Sequence, residues 1–256
     1  MNIYVKPYIV ENEKKRLFII HGICEHSGRY QSFAEWLNQK GVSVITYDLR
    51  GHGKSEGRRV YIKHFVDHLI DLTKVIDQYQ NSKVEQILLG HSMGGLIGYL
   101  YMILNPKVDR FIASGAPTDY LEDVKILKYT GFRWFGWVKR KNNFADDSLS
   151  HDKAIEEQYK KDPLVSKYFT VRLAGEMFYR GVKHLNNNLE KLQKPVLILH
   201  GEKDKIVPKE HSERIFDLID NKNKKLILYP DMYHEILNEL DKEKVYNDIL
   251  GWLNEI

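Results

Sequence analysis

The stretch GHSMGG, from Gly90 to Gly95, most constrains what this chain can fold into. It follows the apolar run QILL and precedes the apolar run LIGYLYMIL, so it joins a candidate buried strand to a candidate buried helix. A polar Ser92 at that junction requires a sharp turn, which brings backbone segments together and needs small residues two positions before and after the serine. Gly90 and Gly94 fill those positions. The pattern predicts that Ser92 stands at the carboxyl edge of a parallel sheet, where open α/β sheets bind ligands.

Short apolar runs that scarcely alternate recur along the chain, with helical patterns between them. Such runs are typical of parallel strands covered on both faces. We therefore expect a mostly parallel central sheet with helices on both faces. The rhythm breaks over residues 118–192, which predicts an inserted helical cap, with 1–117 and 193–256 forming the core. The predicted strands cover 16–22, 42–49, 84–92, 110–117, 195–201 and 225–230, and the predicted helices cover 30–39, 65–80, 94–104, 210–220 and 241–255.

The serine needs a partner, because a hydroxyl is a weak nucleophile at neutral pH without a base and an acid that orients the base. In a turn of this kind the chain order is serine, acid, histidine. Of the histidines after Ser92, His234 lies on a loop just past the last predicted strand, so we select it as the base. The others fall in the cap segment, in an apolar strand where a packed or backbone-bonded ring is the commoner case, or in a helix pattern: His151 and His184, His200, and His211.

The acid should leave the end of an earlier strand. Asp204 comes directly after the strand PVLILHG, and we select it. Asp231 is the alternative, but it lies close to His234 on a tight loop, where an aspartate more often caps a turn.

Acyl transfer also requires two backbone donors for a developing oxyanion. The N–H of Met93 follows the nucleophile at a helix start, and the N–H of Ile23 follows the first long strand in HGICEH. We predict these two groups as the oxyanion hole.

Composition excludes several other classes. The 256 residues carry 39 basic and 35 acidic side chains, a mixed balance that gives no reason to expect nucleic-acid binding. The histidines show no metal-ligand spacing, so we expect no metal. One cysteine excludes an internal disulfide, and the first residues lack the apolar segment of a signal peptide. We expect a soluble, cytoplasmic protein.

Six segments, taken together and in order, resemble the monoacylglycerol lipase and lysophospholipase branch of the α/β-hydrolase superfamily. The resemblance implies an α/β-hydrolase fold and cofactor-free hydrolysis of acyl esters of glycerol or glycerophospholipid. It implies the triad Ser92, Asp204 and His234, with oxyanion donors at Ile23 and Met93, which are the residues selected above from chemistry. The segments are HGICEHSGRY, DLRGHGKSEG, GHSMGG, DPLV, PVLILHGEKDKIVP and the late histidine.

The same resemblance places Glu25, His26 and Arg29 in the loop that carries Ile23. We expect these charged groups to pair and to hold that loop in place. The stretch before RLFIIHG is short, so we expect the leading antiparallel strands to be reduced.

The cap segment between residues 120 and 144 is rich in apolar and aromatic side chains and ends in the basic run 139–141. Two interpretations stay open: contact with a membrane surface, which makes the protein peripheral at the membrane, or a buried cap core beside a solvated basic end. The apolar residues are Leu121, Val124, Ile126, Leu127, Tyr129, Phe132, Trp134, Phe135, Trp137 and Val138.

The function predicted from the sequence is hydrolysis of lipid carboxylic esters through an acyl-enzyme intermediate. Monoacylglycerol or lysophospholipid is the expected substrate. The alternatives are a short-chain carboxylesterase or a serine aminopeptidase on the same scaffold, and, more remotely, a binding protein without catalysis.

Overall fold

A computed structural model of the chain describes residues 1–104, 106–122, 127 and 131–255. Most of its strands lie in the predicted core, and a short pair lies in the predicted cap. The strands are β1 Val5–Tyr8, β2 Lys15–Ile20, β3 Val42–Tyr47, β4 Glu85–His91, β5 Arg110–Ser114, β6 Lys139–Lys141, β7 Tyr168–Thr170, β8 Val196–Gly201 and β9 Lys224–Tyr229.

Helices separate the strands along the chain, as predicted. They are α1 Gln31–Asn38, α2 Val66–Tyr79, α3 Met93–Met102, α4 Lys153–Lys161, α5 Val171–Ala174, α6 Val182–Asn186, α7 Glu210–Leu218 and α8 Lys242–Asn254, with a π-helical turn at Gly175–Gly181 and 3₁₀ turns at Ser27–Tyr30, Leu189–Lys191 and Ile236–Asn238.

The main sheet has seven strands in the order β1-β3-β2-β4-β5-β8-β9. Strand β1 pairs antiparallel with β3, and the other neighbours pair in parallel. The predicted strands and helices of the core are confirmed, with ends that differ by no more than three residues. Strand β1 is four residues long and is the antiparallel member of the described main sheet.

Successive side chains of a strand point to opposite faces of the sheet. Both faces of this sheet are buried, because helices cover each of them. Phe18 joins the core beneath α2, α3 and α7, whereas its neighbour Leu17 joins the core beneath α1 and α8. This two-sided burial explains why the strand sequences do not alternate. Because β4, β5, β8 and β9 pair in parallel, their carboxyl ends lie at one edge of the sheet. The loops that follow β4, β8 and β9 carry Ser92, Asp204 and His234.

Residues 118–192 contain helices and also the antiparallel pair β6–β7, which the apolar pattern did not predict. Strand β6 reads KRK and all three residues are exposed, so it has no apolar signature. Its register with β7 pairs Arg140 with Phe169. Val124, Ile126 and Tyr129 of the predicted apolar set lie outside the described residues.

Within the described ranges, each helix is too short or too polar to cross a bilayer.

Candidate active site

Ser92 occupies the turn between β4 and α3 in a backbone conformation that side chains seldom adopt, with φ of 52° and ψ of −122°. The flanking glycines are required by close backbone contacts. A Cβ at Gly90 would lie 2.3 Å from the carbonyl oxygen of Gly94, and a Cβ at Gly94 would lie 2.2 Å from that of Ile20. The strained turn holds the Ser92 side chain at the edge of the sheet, as the sequence pattern predicts.

His234 and Asp204 form a buried hydrogen-bonded pair at the same edge. The ring Nδ1 of His234 lies 2.6 Å from Oδ2 of Asp204, and both side chains are almost fully buried. Oδ1 of Asp204 accepts from the backbone N–H groups of Ile206 and Val207 at 2.8 and 2.9 Å. These bonds fix the plane of the carboxylate, so the imidazole is held in one orientation.

The charges of this pair reinforce each other. Burial alone would raise the pKa of Asp204, but the nearby His234 and the hydrogen bonds from His200 and His234 hold it well below its usual range. Burial would lower the pKa of His234, but Asp204 outweighs burial and raises that pKa above its ordinary value. The carboxylate is therefore ionised and supports a proton on the ring.

Ser92 and His234 line one narrow cavity with about 20 Å³ of free space. Within the described part of the chain, neither the Ser92 hydroxyl nor Nε2 of His234 makes a hydrogen bond, so both atoms stay available to a substrate. Catalytic hydrogen bonds are often formed only once substrate is bound. The apolar part of the wall combines the sheet edge with the 118–192 segment and a loop after β8: Ile23, Phe144, Leu149 and Ile206.

The structure brings the two predicted oxyanion donors to this cavity region. Met93 is the first residue of α3, where backbone N–H groups lack acceptors within the helix. Ile23 lines the cavity and follows β2. Neither N–H has an acceptor among the described residues. A carbonyl oxygen beside Ser92 would thus meet unused donors from two different loops.

A buried ion-pair network supports the loop that carries Ile23. Oε1 of Glu25 accepts from the N–H of Gly22 at 2.5 Å and from the hydroxyl of Tyr30 at 2.8 Å. Its Oε2 pairs with Nε of Arg29 at 3.1 Å, and Arg29 also pairs with Glu235, the neighbour of His234. Burial alone would lower the pKa of Arg29, but the two carboxylates raise it, so the guanidinium remains charged. The network connects the loop after β2 to the loop of the base.

The same loop is fixed to the 118–192 segment. Nε2 of His26 lies 2.9 Å from Oδ2 of Asp162, and the N–H of Ser166 donates to the carbonyl of Cys24 at 2.9 Å. Cys24 itself has a φ of 67°, in the left-handed region that favours glycine. A strained residue therefore lies next to Ile23, and the bond from Ser166 of the 118–192 segment holds it there.

Two histidines that the sequence argument did not select also lie at the site. His91 is buried, and its ring centroid lies 4.7 Å from that of His234. Burial and the nearby His234 lower the pKa of His91 to about 3, so its ring is neutral at pH 7. His200 lies on the other side of Asp204, with Nε2 3.1 Å from Oδ2. Position within a strand hides such contacts from sequence reasoning.

Comparison with known proteins identifies the family of the chain. A family model described as serine aminopeptidase, S33, matches residues 11–241. The monoacylglycerol lipase of Mycolicibacterium smegmatis is 28% identical over 242 residues, covering 92% of this chain and 86% of that protein. A phospholipase of Bacillus subtilis is 27% identical over 238 residues, covering 90% of this chain and 91% of that protein.

The solved structures agree as well. The crystal structure of Paleococcus ferrophilus monoacylglycerol lipase matches with a TM-score of 0.88 and 27% identity, covering 99% of this chain and 98% of that one. The resemblance to the monoacylglycerol lipase branch is thereby confirmed. The chain has the α/β-hydrolase fold and belongs to the serine aminopeptidase S33 family.

Proposed function

We propose that this protein is a serine hydrolase that cleaves monoacylglycerol, or lysophospholipid, to a fatty acid and an alcohol. The observation that carries the proposal is the buried Asp204–His234 pair beside Ser92 in one largely apolar cavity. The curated relatives support the substrate class, since they are a monoacylglycerol lipase and a phospholipase.

The reaction is a two-step acyl transfer. Ser92 Oγ attacks the ester carbonyl while Nε2 of His234 takes its proton, and Asp204 orients and stabilises the charged ring. The N–H groups of Ile23 and Met93 stabilise the oxyanion. The alcohol leaves with the proton from His234. Water then repeats the sequence and releases the fatty acid from Ser92.

The cavity wall favours an ester over a peptide with a free N-terminus. An unpaired carboxylate near the scissile bond is the strongest partner for the ammonium group of such a peptide. The carboxylates among the described lining residues are Glu25 and Glu235, and both pair with Arg29. We therefore rank the aminopeptidase below the lipase.

A short-chain carboxylesterase is the second candidate. The cavity holds about 20 Å³ of free space, far less than ligand sites of roughly 300–1,000 Å³. A long acyl chain requires displacement of residues from the 118–192 segment, such as Phe144 and Leu149, which form part of the wall. We infer that this segment acts as the cap.

We also propose that the cap contacts an anionic membrane surface. Trp134, Phe135 and Trp137 are 85, 57 and 65% exposed, so the buried-core interpretation is wrong for these three, whereas Phe132 is buried. The exposed basic strand β6 follows them directly. Exposed aromatics beside cations match the interface of an anionic bilayer, where each Lys or Arg contributes about 1 kcal/mol.

The first test measures fatty acid release from a long-chain monoacylglycerol, a lysophospholipid and a short p-nitrophenyl ester. We expect turnover of the long-chain lipids that falls by about 10⁴-fold or more in Ser92→Ala and is unchanged in Ser82→Ala, because Ser82 is exposed and precedes β4, whereas Ser92 follows it. Turnover of the short ester alone would favour the second candidate. Equal turnover by wild type and Ser92→Ala would refute the proposal.

The membrane proposal has its own test. Co-sedimentation with vesicles of phosphatidylcholine plus phosphatidylglycerol should fall when Trp134 and Trp137 are replaced by alanine, and should fall in high salt. Leu218→Ala is the matched control, because Leu218 is 52% exposed on α7 of the core. Binding that is unchanged by the double substitution would contradict the proposed contact.

A further inference from the structure

His200 lies at the end of β8, one residue before the strand terminates, and is fully buried. Its Nδ1 is 2.7 Å from the hydroxyl of Ser212 on α7. Its Nε2 is 2.9 Å from the carbonyl oxygen of Val207 and 3.1 Å from Oδ2 of Asp204. The ring therefore spans the space between a core helix and the carboxylate that holds His234.

These partners determine where the hydrogen of the ring resides. A carbonyl oxygen and an ionised carboxylate only accept hydrogen bonds, so Nε2 must carry a hydrogen. Nδ1 is then free to accept from the hydroxyl of Ser212. The hydrogen-bond network assigns this tautomer. In it the N–H at Nε2 donates to the carbonyl of Val207 at 2.9 Å and lies close enough to share its hydrogen with Oδ2 of Asp204 at 3.1 Å.

Oδ2 of Asp204 consequently faces two imidazoles. It accepts from His234 at 2.6 Å and lies 3.1 Å from Nε2 of His200, whose hydrogen it shares with the carbonyl of Val207. Oδ1 is occupied by two backbone N–H groups. A carboxylate with three donors and a fourth, shared N–H beside it has little freedom to rotate, and its negative charge is distributed among them. The position of His234 and the basicity of its ring both depend on that sharing.

We propose that His200 is a positioning residue, which locks Asp204 and moderates how strongly the carboxylate stabilises a charged His234. This inference rests on the proposed function, in which Asp204 and His234 are the acid and base of the reaction. It assigns a role in tuning the reaction to a histidine that contacts neither the cavity nor the substrate.

The direction of the effect follows from the charges. Loss of the His200 donor leaves more negative charge for the bond to His234, so the pKa of His234 rises. The other charged and titratable groups that face His234 are Glu25, Glu235 and the neutral His91, with Arg29 between the two carboxylates. None of these is altered by a substitution at His200. His211, on α7, is the other histidine near His200, and it faces Asp119 rather than Asp204.

Two conservative variants separate a positioning role from a packing role. His200→Gln places an amide nitrogen near the position of Nε2 and retains the donor to Asp204. The shorter side chain of His200→Asn reaches only the position of Nδ1. This variant therefore retains the contact with Ser212 and loses the contact with Asp204. We expect His200→Asn to lower kcat/KM by about tenfold and to move its acidic limb up by roughly half to one pH unit. We expect His200→Gln to stay near wild type in both.

A second readout does not depend on turnover. NMR titration of the His234 ring in a Ser92→Ala background should show the same upward shift of pKa with His200→Asn and none with His200→Gln. If Ser92→Ala retains full hydrolysis, the proposed function fails, and the titration still tests His200. Thermal unfolding checks that each variant folds.

Should His200→Asn fail to fold, Ser212→Ala frees the ring without removing it, and we expect a smaller shift in the same direction. The inference is overturned if the titration of His234 is the same in wild type, His200→Asn and His200→Gln. It is also overturned if both variants shift it equally, or if the fallback variant leaves it unmoved.

Discussion

Gly94→Ala tests the geometry of the turn that carries Ser92. An added Cβ would lie 2.2 Å from the carbonyl oxygen of Ile20 and 2.6 Å from that of His21. Atoms in van der Waals contact stay roughly 3.5 Å apart, and both obstacles are backbone. Strand β2 and helix α3 must therefore separate by about 1 Å, because no side chain can rotate out of the way.

The cost divides between stability and activity. Overpacking of this kind costs about 1–3 kcal/mol, which lowers Tm by roughly 2–10 °C in a chain of this size. Separation also displaces Ile23, three residues beyond Ile20, and so weakens one oxyanion donor. Loss of one such donor costs about 10²–10³ in kcat, and we expect a decrease near the lower end.

The assay pairs thermal unfolding with ester hydrolysis, and Gly251→Ala serves as the control. Gly251 lies inside α8 with no atom within 4 Å of an added Cβ, so alanine there should stabilise the protein by about 0.5–1 kcal/mol with unchanged kcat. A Gly94→Ala protein with wild-type Tm and kcat would refute the close-contact argument. A lower Tm with wild-type kcat would refute only the link from this turn to Ile23.

Three further predictions concern the site. Asp204→Asn should lower kcat/KM by about 10⁴, whereas Asp231→Asn, at a side chain 85% exposed, should leave it unchanged; comparable losses in both would contradict our choice of acid. Burial lowers the pKa of His234 but Asp204 raises it above the ordinary value of about 6.5, so kcat/KM should be lost as pH falls through a midpoint above 6.5, and a midpoint below that value would contradict the pairing. Asp162→Ala breaks the bond to His26 and so loosens the loop that carries Ile23. We expect kcat to fall several-fold with little change in Tm. The pH profile of the variant should match that of the wild type, because His234 is undisturbed.

The sequence was sufficient for features that depend on local pattern. Buried strands, the glycine-flanked serine and the serine–acid–histidine order predict both the core and the positions of Ser92, Asp204 and His234. Strand β6 was missed because its three exposed basic residues carry no apolar signal. Its formation depends on pairing with a segment some 30 residues away.

The contacts that support the site could be identified only from the folded structure. Arg29 and Glu235 are 206 positions apart, so nothing in either neighbourhood indicates their pairing. His200 follows four apolar residues in β8, a pattern that predicts a packed or backbone-bonded ring. Its bond to Val207 agrees with that view, while its bond to Asp204 depends on how the next loop folds back. Sequence pattern predicts which element a residue occupies, and long-range contacts decide what its side chain touches.

The bonds between the 118–192 segment and the loop after β2 determine which parts of this protein can be exchanged. Asp162 and Ser166 bind that loop, and both the N–H and the hydroxyl of Thr170 donate to the carbonyl of Val60, at 3.3 and 2.6 Å. Residues 162–170 are therefore fixed to the core by hydrogen bonds, although they lie within the 118–192 segment. A chimera that imports a relative's cap should keep this nine-residue stretch native and place its crossover points outside it. Such a chimera would change the walls that contact an acyl chain while the backbone around Cys24 keeps its strained shape.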